Sequence, residues 1–184
     1  MNKLINAVIL IGPPAVGKTS LLKTYATFEI NEMVSVSVDE FIEDVAKREG
    51  KTYGEVWADN VKECSRLFNE KLDENIKAKN NLAIDRTNMT RKGRVKLVGR
   101  LRRGGYNNII FIDMSADKEI LVQRLKERGM ETGKTIPPKV LDDMLRNYKD
   151  PLDKNDLGEY IEDWDECIIV HNGDIKGVFK NDKV

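Results

Sequence analysis

The chain has 184 residues, with 31 basic and 31 acidic side chains and a formal net charge of zero. That length predicts one domain, residues 1–184, able to bury a sizeable core. The neutral balance excludes a protein that holds nucleic acid by global charge and leaves open only a local basic groove. Cys64 and Cys167 are far apart and match no metal-ligand spacing, so they read as two reduced, buried thiols of a cytoplasmic protein.

Leu4 to Ile11 is a mostly apolar run of the kind that makes a buried strand. It is too short to span a bilayer and predicts neither a signal peptide nor a membrane anchor. Gly12-Pro13-Pro14-Ala15-Val16-Gly17-Lys18-Thr19 follows at once and fits G-x-x-x-x-G-K-[ST] at every defined position. Ser20 to Ala26 then reads as a helix. Strand, glycine loop and helix form the setting in which backbone N–H groups wrap a nucleotide's phosphates, aided by the positive end of the helix dipole. In that setting Lys18 reaches the β- and γ-oxygens and the Thr19 hydroxyl takes a place on Mg²⁺.

Met33 to Val38 alternates valine with serine and predicts a second strand, ending at Asp39-Glu40. A helix is expected from Phe41 to Glu49, stopped by Gly50. Tyr53 to Lys79 predicts one long charged helix whose buried stripe runs through Val56, Trp57, Val61, Cys64, Leu67, Phe68, Leu72 and Ile76. Leu82 to Asp85 is a third strand, leading into Arg86-Thr87-Asn88-Met89-Thr90, with Thr90 as N-cap of a helix to Arg103. Asn108 to Met114 predicts a fourth strand and Asp117 to Arg128 a further helix. Residues 129–134, polar with a glycine near each end, are expected to form a mobile loop within a lid at about 124–138. Pro137-Pro138 opens another helix to about Tyr148. Glu166 to His171 is a fifth strand, and Asn172-Gly173 turns the chain away. Strands alternating with helices predict an α/β fold with a five-stranded parallel sheet. The phosphate loop after the first strand selects a three-layer P-loop architecture of the nucleotide-kinase type.

Ligands of such sheets bind beyond the carboxyl ends of the strands, which singles out Asp39 and Asp85. Asp39 suits a general base for an acceptor hydroxyl; it also suits a helix cap, and Glu40 competes for the role. Asp85 suits a Mg²⁺-linked carboxylate, directly or through water. Thr87 and Asn88 supply short polar groups that hold an acceptor or stabilise a turn. Arg124 and Arg128 are one helical turn apart, placed to neutralise phosphate charge or simply to be solvated. Lys126 and Lys134 are weaker candidates. Arg86, Arg91, Lys92, Arg94, Lys96, Arg100, Arg102 and Arg103 make 86–103 basic, as a phosphate-tracking patch or a solvated helix face. The segment has no aromatic residue to stack bases. His171, the only histidine, fits a structural or nucleotide-edge position.

Taken together, the chain resembles the P-loop polynucleotide 5′-hydroxyl kinases of phage and eukaryotic end repair. The likeness rests on Gly-Pro-Pro-Ala-Val-Gly-Lys-Thr at 12–19, Val-Asp-Glu-Phe at 38–41, Ile-Asp-Arg-Thr-Asn at 84–88, Arg124 with Arg128-Gly129, and Ile-Pro-Pro-Lys-Val-Leu at 136–141. It implies ATP as donor and Mg²⁺ as cofactor, with residues 12–18 and Thr19 or Ser20 on the donor and metal. It further implies Asp39 as general base, Arg124 and Arg128 as lid arginines, and Arg86, Thr87 and Asn88 beside a nucleic-acid end or other hydroxyl acceptor. The phage family has an arginine three residues after its aspartate to hold the acceptor's phosphate; here that position is Ile42. Related P-loop kinases act on nucleotides, sugars, antibiotics or hydroxymethylated DNA bases, and a nucleotide-binding switch or plain ATPase shares the phosphate loop.

Overall fold

The computed structural model describes residues 4–25 and 33–181. The expected helical position Ala26 and the polar tail beyond 181 lie outside them. In chain order the elements are β1 (Asn6–Ile11), α1 (Lys18–Tyr25), β2 (Met33–Ser37), α2 (Val38–Glu49), α3 (Tyr53–Ala78) and β3 (Asn81–Asp85). They continue with α4 (Arg91–Arg103), β4 (Asn108–Ser115), α5 (Lys118–Thr132), α6 (Pro138–Asn147), β5 (Glu166–His171) and β6 (Asp174–Lys180). The sheet order is β2-β3-β1-β4-β5-β6. β1 is central, paired in parallel with β3 and β4, and covered on both faces, which explains its unbroken apolar run.

Side chains alternate across β1 into two cores. Ala7, Ile9 and Ile11 join Phe68, Leu72, Val98, Leu101 and Trp164 on one face. Val8 and Leu10 join Leu121, Leu125 and Leu141 on the other. This is the three-layer α/β fold. A third cluster, Ile42, Ala46, Val56 and Cys64, zips α2 onto α3. Both cysteines are buried and free. Among the described residues no helix is long and apolar enough to cross a membrane.

Four expectations need correction. The sheet has six strands, because Asn172 (φ 51°) and Gly173 (φ 92°) form a two-residue turn that folds β6 back antiparallel on β5. Positive φ at both turn residues is what an Asn-Gly hairpin requires. Residues 129–132 are helical, not loop; Gly129 weakens α5 without ending it, and the stop is Gly133 at φ 70°. α2 starts at Val38 rather than Phe41, capped by Ser37, whose hydroxyl accepts from the Asp39 N–H at 3.2 Å. Asp39 therefore lies inside the first helical turn and is not the cap. Trp57 is 47% exposed, since the buried stripe of α3 passes through Val56, Cys64, Phe68 and Leu72 and leaves position 57 about 100° away.

Candidate active site

The parallel registers bring the singled-out residues to one edge of the sheet. Leu10 and Ser37 both stand abreast of Asp85, so the phosphate loop, the start of α2 and the 86–90 segment leave the strands together. Gly12 has φ 142°, and a Cβ there would lie 2.3 Å from the Met114 carbonyl oxygen. Only glycine permits that approach. Its N–H donates to the Thr87 carbonyl at 2.9 Å, which ties the phosphate loop to the third strand's exit. Pro13, Val16 and Gly17 complete the turn, with Ala15 at φ 63°, and α1 begins at Lys18. Ser20 lies exposed in that first helical turn.

The Lys18 ammonium is buried and donates to the carbonyls of Gly12 (2.9 Å) and Pro13 (2.8 Å). Burial lowers its pKa to about 8, against the pull of Asp85 and Asp39; Lys134 and Arg128 push the same way as burial. The Thr19 hydroxyl donates to Asp85 Oδ2 at 2.7 Å. One hydroxyl and one carboxylate oxygen are hard donors of the kind Mg²⁺ takes, with phosphate and water oxygens filling the other positions. Thr19 and Asp85 thus fit that ion.

Asp39 and Glu40 diverge. Glu40 accepts from Ser35 Oγ (3.1 Å) and Lys71 Nζ (3.1 Å), turned toward β2 and α3. Asp39 accepts from the Tyr53 hydroxyl at 2.7 Å and from the Lys134 ammonium. Burial pushes the Asp39 carboxyl up, but Lys134, Tyr53 and Arg128 together outweigh it and hold its pKa below the ordinary value. Burial and the Asp39 charge push the Tyr53 hydroxyl up.

Lys134, a weaker candidate in the sequence, stands in direct contact with Asp39. It is buried, its ammonium sits 4.2 Å from the Tyr53 ring centroid, and burial lowers its pKa. The turn that carries it docks on the start of α3, where a Cβ on Gly54 would meet the Gly133 carbonyl oxygen at 2.5 Å. The available signal was the glycine at 133 just before a lysine.

α5 contributes both predicted arginines. Arg124 Nη1 donates to the Ala15 carbonyl at 3.4 Å, on the phosphate loop. Arg128 approaches Glu43 of α2 at 3.9 Å and is felt electrostatically by Lys18, Asp39 and Lys134. Ile42 is fully buried and takes no part. Asn88, at φ 45°, donates its side-chain amide to the Leu10 carbonyl at 2.8 Å, so it chiefly fixes the 86–90 segment. The Arg86 guanidinium lies 4.7 Å over the Phe68 ring, within the electrostatic reach of Asp39. His171 sits off this cluster, Nδ1 3.0 Å from Ser115 Oγ and Nε2 3.5 Å from Asp117.

The basic segment 86–103 divides. Arg91 pairs with Asp153, Arg94 with Glu162, Arg100 with Asp73, and Arg102 with Asp163 and Asp165. Half of its cations therefore hold the fold together.

The AAA_33 family model, an AAA domain, matches residues 8–151, the stretch from β1 to the end of α6 and just beyond. The chain belongs to the AAA_33 family. No curated protein sequence matches this AAA_33 domain. Among solved structures it is similar to a provisionally named kinase from Chloroflexus aurantiacus, at 17% identity and TM-score 0.65 over 92% of this chain and 89% of that one. It is similar to a structure from the PezAT chromosomal toxin–antitoxin system of Streptococcus pneumoniae, at 18% and 0.63 over 96% and 73%. A sugar kinase from Janibacter matches at 18% and 0.53, over 92% and 86%. The AAA_33 domain thus has the P-loop kinase fold.

Proposed function

We propose that this AAA_33 domain is an ATP- and Mg²⁺-dependent phosphotransferase with an alcohol acceptor. The observation that carries the reading is the convergence of Lys18, the Thr19–Asp85 pair and the Asp39 carboxylate at one sheet edge. The backbone N–H groups of residues 15–18 and the Lys18 ammonium bind the donor's phosphates, with Arg124 on the same loop and Arg128 within electrostatic reach of Lys18. Mg²⁺, when bound, offsets charge on the β- and γ-oxygens. Asp39 orients the acceptor hydroxyl and takes its proton as the oxygen bonds to the γ-phosphorus. The bond from that phosphorus to the β,γ-bridging oxygen breaks, and ADP leaves. Asp39 acts only after Lys134 gives up its bond, and the donor's γ-phosphate is the anion that attracts that ammonium away.

Asp39→Asn tests this directly. Transfer from radiolabelled ATP should fall by roughly 10²–10⁴, while calorimetric ATP affinity changes less than threefold. Undiminished transfer would remove Asp39 from the mechanism.

A polynucleotide 5′-hydroxyl end is the acceptor that the motif combination supports, and Lys92, Lys96 and Arg103 have no ion-pair partner among the described residues. Against a polymer stand buried Ile42 and the four arginines of α4 committed to internal pairs. The salt dependence of the acceptor KM separates the two. For a polymer contacting several phosphates, log KM rises with log salt at about 0.7 per contact for a single strand; a compact acceptor gives a shallow slope.

A further inference from the structure

Between α3, the 86–93 segment, α4 and α6 lies a cavity of about 610 Å³. That volume falls within the ~300–1,000 Å³ of small-molecule clefts. Its apolar lining includes Phe68, Leu72, Met89, Leu97 and Met144. Three cations line it, and two of them, Arg86 and Lys96, have no ion-pair partner among the described residues. Arg100, on the same wall, is instead fastened to Asp73 and Asn69. The one lining carboxylate, Asp143, is already paired with Arg146 at 3.1 Å. An apolar floor under two uncompensated cations favours a ligand that pairs an anion with an apolar or planar body. Arg86 also connects the cavity to the reacting centre, because it lies over Phe68 and within the field of Asp39.

We propose that this cavity is the acceptor site, and that the acceptor is a small alcohol bearing a phosphate or carboxylate group. Its body rests on the Phe68–Met144 floor, its anion meets Lys96 and Arg86, and its hydroxyl emerges toward Asp39. The assignment rests on the phosphotransfer reading above. The hydroxyl oxygen gains the γ-phosphoryl group, its proton passes to Asp39, and ADP departs.

The test offers Mg²⁺ and radiolabelled ATP with matched acceptors: glycerol and glycerol 3-phosphate, uridine and uridine 5′-monophosphate, and a 5′-hydroxyl oligonucleotide. The anionic member of a pair should exceed its neutral partner at least tenfold in kcat/KM. Lys96→Glu, at an exposed position of α4, should raise that acceptor's KM at least tenfold and leave the ATP KM unchanged. Met144→Trp, which fills the cavity from α6, should lower transfer while ATP still binds. Equal use of both members of each pair, an unmoved KM in Lys96→Glu, or preference for the oligonucleotide with both variants unaffected would overturn the cavity assignment and leave phosphotransfer standing. No transfer to any acceptor, with ATP hydrolysis unaltered by Asp39→Asn, would sink the phosphotransfer reading and the cavity assignment with it.

Discussion

Arg94→Met probes the strut that holds the acceptor side of the site. Arg94 is fully buried, and its partner Glu162 is 2% exposed. The guanidinium donates from Nε to Glu162 Oε2 at 2.8 Å, from Nη2 to Glu162 Oε1 at 2.5 Å, from Nη1 to the Asn88 carbonyl at 2.9 Å, and from Nη2 to the Lys149 carbonyl at 2.6 Å. It therefore locks the 86–90 segment to the chain after α6. Removing it strands a buried carboxylate and leaves two carbonyls short of a donor. Breaking a buried pair costs about 3–5 kcal/mol. Arg91 Nε, 3.8 Å from Glu162 and without a hydrogen-bond partner, can move in, so the low end of about 3 kcal/mol is expected. For a chain of this size that lowers Tm by roughly 6–12 °C. Urea unfolding of wild type, Arg94→Met and the double variant Arg94→Met/Glu162→Leu measures it. The double variant should recover most of the loss, because an apolar pair replaces both charges. A single-variant cost under about 1 kcal/mol, or a double variant no more stable than the single, would refute the reasoning.

Further expectations concern the donor loop, the base and the pH response. Gly12→Ala places a methyl group against the Met114 carbonyl at positive φ; it should cost about 1–3 kcal/mol and weaken calorimetric ATP binding more than tenfold. Lys134→Met removes the cation that holds the Asp39 pKa down in the free protein, so the acid limb of the kcat/KM profile should move to higher pH. An unmoved limb would separate Lys134 from the base. Burial raises the Asp113 carboxyl to about 6, above its unfolded value, despite the Tyr148 hydroxyl donating to it at 2.5 Å. A raised carboxyl contributes stability only while protonated, and that contribution is lost as pH rises through about 6. Asp113→Asn should therefore be more stable than wild type at pH 8, by on the order of 2–3 kcal/mol. The difference should shrink toward pH 5 in thermal melts.

Much of this molecule is written locally. The Gly12–Thr19 loop, the Thr90 and Gly104 boundaries of α4, the Pro-Pro start of α6 and the apolar runs of β1, β3 and β4 follow from backbone geometry and side-chain period, which act over a few residues. The same reach made Asp39 and Asp85 visible, because strand ends define the ligand edge of a parallel sheet. Other features depend on partners far along the chain. Glu40 is drawn toward Ser35 and Lys71, Lys134 is brought against Asp39 and Tyr53, and the basic run of α4 is divided by acids at 73, 153, 162, 163 and 165. A charge in a sequence reads the same whether it faces water, a carboxylate or an open cavity. Only the packed chain sets the burial and distance on which its energy depends.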